Sequence, residues 1–160
     1  MKTKFNPLRQ SERDWIANHV EAAPDFVAAF SPPDADAELT LAALDRAFAI
    51  WLAQGSRDQG EVNAIVNLVG VTFGSFLVRE AGFEWVIATD EHGADLAVLA
   101  LPGTADLLAY PANFVAKRWE RGESMFLEAA FEEFSARRSE LSRTPPKPKP
   151  EKRPFWKRGG

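Results

Sequence analysis

The 160-residue chain is 46% apolar, contains two histidines and no cysteine, and carries a formal net charge of −4. This length and apolar content suit one folded domain, and the lack of cysteine excludes disulfides and thiolate metal sites. The charge is unevenly distributed. Residues 143–160 contain seven basic residues and one acidic residue, a formal charge of +6, which leaves −10 on the preceding 142 residues. The sequence therefore predicts an acidic folded body and a basic tail.

The N-terminal residues and the apolar stretches do not indicate export or membrane insertion. Lys2 and Lys4 supply positive charge, but the run of about 7–15 apolar residues that a signal peptide requires does not follow them. The longest nearly apolar stretch, residues 94–101, is much shorter than the roughly 20 residues that span a bilayer. We therefore expect a cytoplasmic protein without a transmembrane segment.

Three helices are predicted in the first half of the chain. Ser11-Glu12-Arg13-Asp14 has the form of a capping box, and apolar residues at three- and four-residue steps extend the first helix to about Ala23. Pro24 is expected to interrupt it, and Asp25 to Phe30 could add a further helical turn before Ser31-Pro32-Pro33. The same periodicity predicts a second helix from Asp36 to about Gln54 and a third from about Glu61 to Glu80.

The third predicted helix is apolar around most of its circumference, which indicates burial on more than one side. It contains Gly70 and Gly74 one turn apart. Each glycine costs roughly 1 kcal/mol relative to alanine in a helix. Close approach of another backbone would explain why glycine is present, and we place this helix at the centre of the fold.

After the third helix the period of the apolar residues changes from 3.6 to 2. Phe83 to Ala88 and Leu96 to Leu101 predict two strands of a hairpin, with Gly93 as the turn residue of positive φ. Asp106 to Tyr110 predicts a third strand. Together these strands are expected to form a small antiparallel meander.

Two helices are predicted at the C-terminal end of the fold. The first begins at Pro111 and stops at Gly122, and Ser124 is expected to cap the second. Beyond Ser142 the chain is rich in proline and lysine and lacks apolar periodicity, which predicts disorder.

The predicted fold class is α+β, with N-terminal helices packed with a three-stranded antiparallel β-meander and two C-terminal helices. Residues 1–10 are expected to form an N-terminal extension, residues 11–141 a single α+β domain, and residues 142–160 a disordered, basic, Pro-rich tail.

Five short sequence blocks, in order along the chain, resemble a known family. They are Gly70-Val71-Thr72-Phe73-Gly74, Phe83-Glu84-Trp85-Val86, Asp90 to Val98, Tyr110-Pro111 and Lys117 to Glu123. They are similar to a bacterial family known as domain of unknown function 3806, over about residues 62–125. The resemblance implies a compact bacterial α+β domain and carries over no catalytic residue.

Charged residues in this region are candidates for ligand or partner binding. Asp90 and Asp95 lie at the hairpin turn, and Glu84 occupies an alternating, solvent-facing position of the first strand. Arg118 and Arg121, three residues apart on a helix, could together bind a carboxylate or phosphate. We favour ion pairs between the hairpin aspartates and these arginines, with anion or partner binding as the alternative.

The hairpin turn also raises the question of a metal site. Asp90, Glu91, His92 and Asp95 offer oxygen and nitrogen ligands for a divalent cation. Polar residues are, however, what a solvated turn requires. We therefore expect no metal and no cofactor.

The tail contains a second group of candidates, in which basic and aromatic residues are interleaved: Lys152, Arg153, Phe155, Trp156, Lys157 and Arg158. Such a segment could bind a protein partner, a nucleic acid or an anionic membrane surface, or fold back onto the acidic body.

The usual catalytic motifs are absent from the sequence, including G-x-S-x-G, a phosphate-binding Gly-rich loop and H-E-x-x-H. The sequence therefore favours a non-enzymatic, cytoplasmic protein-binding module of a bacterium. The alternatives are a small carboxylate-based enzyme or anionic-ligand binder, and a tail that contacts nucleic acid or a membrane surface.

Overall fold

The computed structural model describes residues 2–32 and 38–143. Within these ranges the chain forms four strands and five helices, which confirms the α+β class. In chain order they are β1 (Lys4–Asn6), α1 (Gln10–Ala29), α2 (Leu41–Ala53), α3 (Gln59–Glu80), β2 (Glu84–Asp90), β3 (Gly93–Ala100), β4 (Leu107–Ala109), α4 (Pro111–Glu120) and α5 (Leu127–Arg143). Residues 144–160, with all six tail candidates, lie outside the described residues, and residues 142 and 143 complete α5.

The four strands form one antiparallel sheet in the order β1-β2-β3-β4. The predicted meander is present as β2, β3 and β4, and Gly93 in its turn has a φ of 120°. The sheet has one strand more than predicted. Residues 4–6, within the predicted extension, pair with Ile87 to Thr89 of β2. The stretch Lys4-Phe5-Asn6 contains a single apolar residue, too few to show a period of 2.

The predicted interruption at Pro24 is wrong: the helical turn expected after it is present, but it continues α1 without a break to Ala29. A proline in a helix interior costs about 3 kcal/mol because it lacks an N–H and crowds the preceding turn. Beyond it, Phe26 and Val27 are buried in the core. Burial of each such side chain contributes about 1.5–3 kcal/mol, which offsets the proline.

The starts of the first two helices also differ from the predictions. The N-cap of α1 is Arg9, whose backbone N–H donates to Oε1 of Glu12 at 3.1 Å, so the predicted box at Ser11 is wrong. The second helix begins at Leu41, where Oγ1 of Thr40 accepts the N–H of Ala43 at 3.0 Å. A side-chain cap of this kind fixes the start of a helix.

The predicted central position of the third helix is confirmed, since α3 contacts every other helix and the β2-β3 pair. By length and composition it is also the one helix among the described residues that could span a membrane. However, 56% of its apolar window is buried inside the fold. The chain therefore has no clear transmembrane segment in the part that the structure describes.

Gly70 and Gly74 of α3 allow other elements to contact its backbone. A Cβ at Gly70 would lie 2.5 Å from Cα of Ala112 and 3.0 Å from the carbonyl oxygen of Pro111. A Cβ at Gly74 would overlap the indole of Trp85. The start of α4 and the Trp85 side chain of β2 therefore lie directly against α3, which confirms the predicted close approach.

The N-terminus of α5 is capped by a residue of α2. Asp45 is 2% exposed, and its Oδ1 and Oδ2 accept the N–H groups of Leu127 and Glu128 at 2.7 and 2.9 Å. Burial raises the pKa of Asp45, and the N–H groups at the start of α5 oppose that shift. The predicted cap, Ser124, is exposed and precedes the helix, so that prediction is wrong. A cap 82 residues away leaves no local pattern in the sequence.

Replacing Gly70 by alanine should lower the free energy of unfolding by about 1–3 kcal/mol, because the new methyl group would overlap the backbone of α4. Urea denaturation measures this loss. Gly60→Ala is the matched control in the same helix, since the one atom near its added Cβ is Oδ1 of Asp58, at 3.2 Å. Equal stability of the Gly70 variant and the wild type would contradict the close contact.

Asp45→Asn should also destabilise the fold, by about 1–3 kcal/mol, because an amide offers one acceptor where two backbone N–H groups are buried. Asp58→Asn is the control, since Asp58 caps α3 at an exposed position through a single N–H and asparagine caps equally well. Equal urea midpoints for the two variants would show that the remote cap contributes no more than a local one.

Candidate functional site

The two faces of the sheet have different surroundings. Trp85 and Val98 lie on the face that packs into the main core with α3. Because side chains alternate along a strand, their neighbours point to the opposite side, which we call the outer face. The outer face carries a separate apolar cluster, made of Val86, Ala88, Ala97 and Leu99, with Phe5, Leu108 and Tyr110 packed against it.

All three acidic candidates lie on the outer face. Glu84 and Asp90 are an even number of residues from Val86 along β2, so their side chains lie on the same face as that of Val86. Asp95 of β3 pairs with Ala88 and shares this face. Glu84 is exposed, as predicted. It is six residues from Asp90 along β2, or roughly 20 Å at the rise of a strand. The carboxylates therefore border the apolar cluster at its two ends.

Tyr110 is close to the aspartates at one of these ends. It packs on the outer-face cluster, and its pKa is raised by burial and by the charges of Asp90 and Asp95. The phenol therefore remains a neutral hydrogen-bond donor at physiological pH.

At the Glu84 end the sheet has an open edge. The short strand β1 pairs with Ile87 to Thr89 and leaves Glu84 to Val86 without a strand on that side. A cavity of about 510 Å³ occupies this position, and we call it the edge notch. Its lining residues include Phe5, Pro7, Leu8, Glu84, Val86 and Leu99.

The basic candidates lie on α4. The guanidinium of Arg118 lies over the ring of Phe114, 3.4 Å from its centroid, and 5.6 Å from that of Phe126. Its Nη1 donates to the carbonyl oxygen of Phe114 at 3.1 Å. Burial lowers the pKa of Arg118. Arg121 follows at the C-cap of the helix and is exposed.

Arg118 also lines a groove of about 250 Å³, which we call the α4 groove. Tyr110, Asn113 and Lys117 contribute polar groups to it, and Phe73, Phe114 and Phe134 contribute aromatic ones. Tyr110 thus belongs both to the outer face and to this groove.

The predicted ion pairs between hairpin and helix are not formed in residues 2–32 and 38–143, so that prediction is wrong for the described part of the chain. The carboxylates of the two aspartates accept backbone N–H groups instead. Oδ1 of Asp90 accepts the N–H of His92 at 2.7 Å, and Oδ1 of Asp95 accepts the N–H of Leu96 at 2.8 Å. Arg118 is held by its aromatic neighbours, since a guanidinium stacks well on a ring.

The described residues contain no group of three or more histidine or acidic side chains arranged to hold a metal ion. Asp90 makes the backbone hydrogen bond to the second following residue that is typical of turns. Asp95, within β3, accepts the N–H of the next residue.

Sequence reasoning missed several residues that build these surfaces. Leu108 and Tyr110 carry a recognisable signal, because they alternate at the end of a predicted strand and so share a face. Phe5 carries none, since its strand was not predicted. Asn113 and Lys117 are two among many polar helix residues, and their position in the groove depends on how α4 is placed against α3.

Sequence comparison matches residues 49–131 to the family described as Domain of unknown function (DUF3806). Comparisons with curated proteins and with solved structures found no match. The matched region contains α3, the β2-β3-β4 meander, α4 and the start of α5, and therefore most of both surfaces. Since the match spans more than half of the 160 residues, the chain belongs to the domain of unknown function 3806 family.

Proposed function

We propose that this chain is a non-enzymatic protein-binding module whose outer face holds an extended, basic segment of another protein. The supporting observation is the outer-face cluster. Its apolar packing partners among the described residues, Phe5, Leu108 and Tyr110, all come from the sheet or the residue after it. The four residues of the cluster are themselves 0–6% exposed, so the apolar surface open to a partner is formed by the half-buried Phe5, Leu108 and Tyr110. With carboxylates at both ends, this face suits a segment that carries apolar and basic side chains.

An extended conformation of the bound segment is favoured by the edge notch. In a strand, alternate residues direct their N–H and C=O groups sideways, and β1 ends before it reaches Glu84 to Val86. A partner strand can pair with such an edge while its side chains enter pockets beside it. Phe5, Leu8 and Leu99 provide apolar walls for one side chain at this place.

The negative charge of this chain favours a basic partner. The first 142 residues carry a formal charge of −10. Among the described residues, no lysine or arginine lies within ion-pair distance of Glu84, Asp90 or Asp95. These carboxylates are therefore available to attract a cation, and such attraction raises the rate and specificity of association.

The same arrangement disfavours a catalytic carboxylate pair that includes Glu84. Paired catalytic carboxylates stand about 5–10 Å apart across the bond that they break. Glu84 lies much farther than this from Asp90, by strand spacing. A bacterial, cytoplasmic setting belongs to the same proposal, and the absence of cysteine agrees with it.

A peptide of residues 150–160 has the proposed chemistry and serves as a defined probe. We expect the full chain carrying Phe155→Ser and Trp156→Ser, which weaken competition from its own tail, to bind this peptide. Combining Glu84→Gln, Asp90→Asn and Asp95→Asn in that chain should lower the affinity about tenfold, since exposed charge pairs contribute roughly 0.2–1 kcal/mol each. Fluorescence anisotropy of a labelled peptide measures the change.

The control removes three exposed carboxylates from helices, by Glu21→Gln, Glu120→Gln and Glu132→Gln. It alters the net charge equally and should change the affinity less than about threefold. A peptide with serine at both aromatic positions should bind more weakly than the parent. Equal losses of affinity in the two triple variants would show that binding depends only on net charge and would contradict the proposed surface. An absence of peptide binding would contradict it as well.

A further inference from the structure

We infer that the α4 groove is a binding site for a small anion with an apolar body, of the class of aromatic or branched aliphatic carboxylates. The groove differs from the outer face in its charge. Among its lining residues, all from the described part of the chain, Lys117 and Arg118 are cationic and none is acidic. Tyr110 and Asn113 add hydrogen-bond donors.

Arg118 is placed to bind an oxyanion. Its stacking on Phe114 and the bond from Nη1 to the Phe114 carbonyl fix the plane of the guanidinium. A guanidinium has five N–H donors, and the described residues provide no further hydrogen-bond acceptor for the rest. An oxyanion can accept two of them side by side.

The charge of Arg118 is only partly compensated within the chain. Glu123 and Glu133 act on it from a distance, and no carboxylate oxygen of the described residues lies within 4.0 Å. Burial disfavours its charged form, as the lowered pKa shows. A bound carboxylate would supply the missing counter-charge at short range.

The size and walls of the groove define the rest of the ligand. Phe73, Phe114 and Phe134 form aromatic walls. The volume of about 250 Å³ is below the roughly 300–1,000 Å³ of sites for drug-sized molecules. The groove therefore suits a single ring or a short branched chain attached to the anionic group.

Calorimetric titration of the full chain with benzoate, benzamide and acetate tests this inference. Benzamide keeps the ring without the charge, and acetate keeps the charge without the ring. We expect benzoate to bind at least tenfold more tightly than either. Arg118→Gln should lower benzoate affinity on the order of tenfold to a hundredfold, the range for a lost hydrogen bond to a charged group.

Arg121→Gln is the matched control, because Arg121 lies at the C-cap of α4 and does not line the groove. It should change benzoate affinity less than about twofold. If Arg118→Gln perturbs the fold through its aromatic contacts, Lys117→Gln replaces it, since Lys117 is an exposed lining residue. That variant should weaken benzoate binding severalfold at an unchanged melting temperature.

Three results would overturn the inference: no benzoate binding at 20 mM, equal binding of benzamide, or an equal effect of Arg121→Gln. The inference does not rest on the proposed peptide site, although the two surfaces share Leu108 and Tyr110. The Glu84→Gln, Asp90→Asn and Asp95→Asn variant should keep its affinity for benzoate or increase it, because two of the lost charges lie near Tyr110.

Discussion

The contact of α3 with α4 and β2 at Gly70 and Gly74 determines where both surfaces lie. At Gly70 the helix backbone touches Ala112, which fixes the start of α4 and so the wall that presents Arg118 to the groove. At Gly74 the backbone of α3 contacts the indole of Trp85. Because side chains alternate along β2, placing Trp85 on α3 turns Glu84 and Val86 to the outer face. One pair of small residues on one helix thus sets the position of a groove and the orientation of a sheet.

The cap that Asp45 provides has a comparable effect on α5. Because its carboxylate accepts two N–H groups at the start of that helix, it ties the helix to α2 at a buried position. Phe126 and Phe134 then pack edge-on or tilted around Phe114 and Phe73. This aromatic cluster forms the wall on which Arg118 stacks. A cation held over aromatic faces keeps its charge while its stem is buried, which gives the groove a fixed donor.

The sequence predicts those parts of this structure that depend on local pattern. The apolar circumference of α3, the hairpin with Gly93, and the start of α4 at Pro111 follow from periodicity and turn chemistry. The continuation of α1 past Pro24 depends on burial of Phe26 and Val27, which is a tertiary effect. Among the candidate site residues, strand alternation correctly predicts that Glu84 is exposed. The predicted acidic partner of Arg118 is wrong. The charge of Arg118 suggests an acidic partner, but the ring that lies under its guanidinium is that of Phe114, four residues earlier on α4, and the Phe126 ring is farther away.

The separation of the acidic and basic groups costs the fold little stability and leaves Asp90, Asp95 and Arg118 without an ion pair among the described residues. Exposed ion pairs contribute a median of about 0–1 kcal/mol, so pairing Asp90 or Asp95 with Arg118 would have added little. In the observed arrangement Asp90 stabilises the hairpin turn through the N–H of His92, Asp95 accepts the N–H of Leu96, and the arginine gains an aromatic contact. Tyr110 stands between the two groups, packed on the outer face and lining the α4 groove. Leu108 also belongs to both surfaces, so the outer face and the α4 groove have two side chains in common.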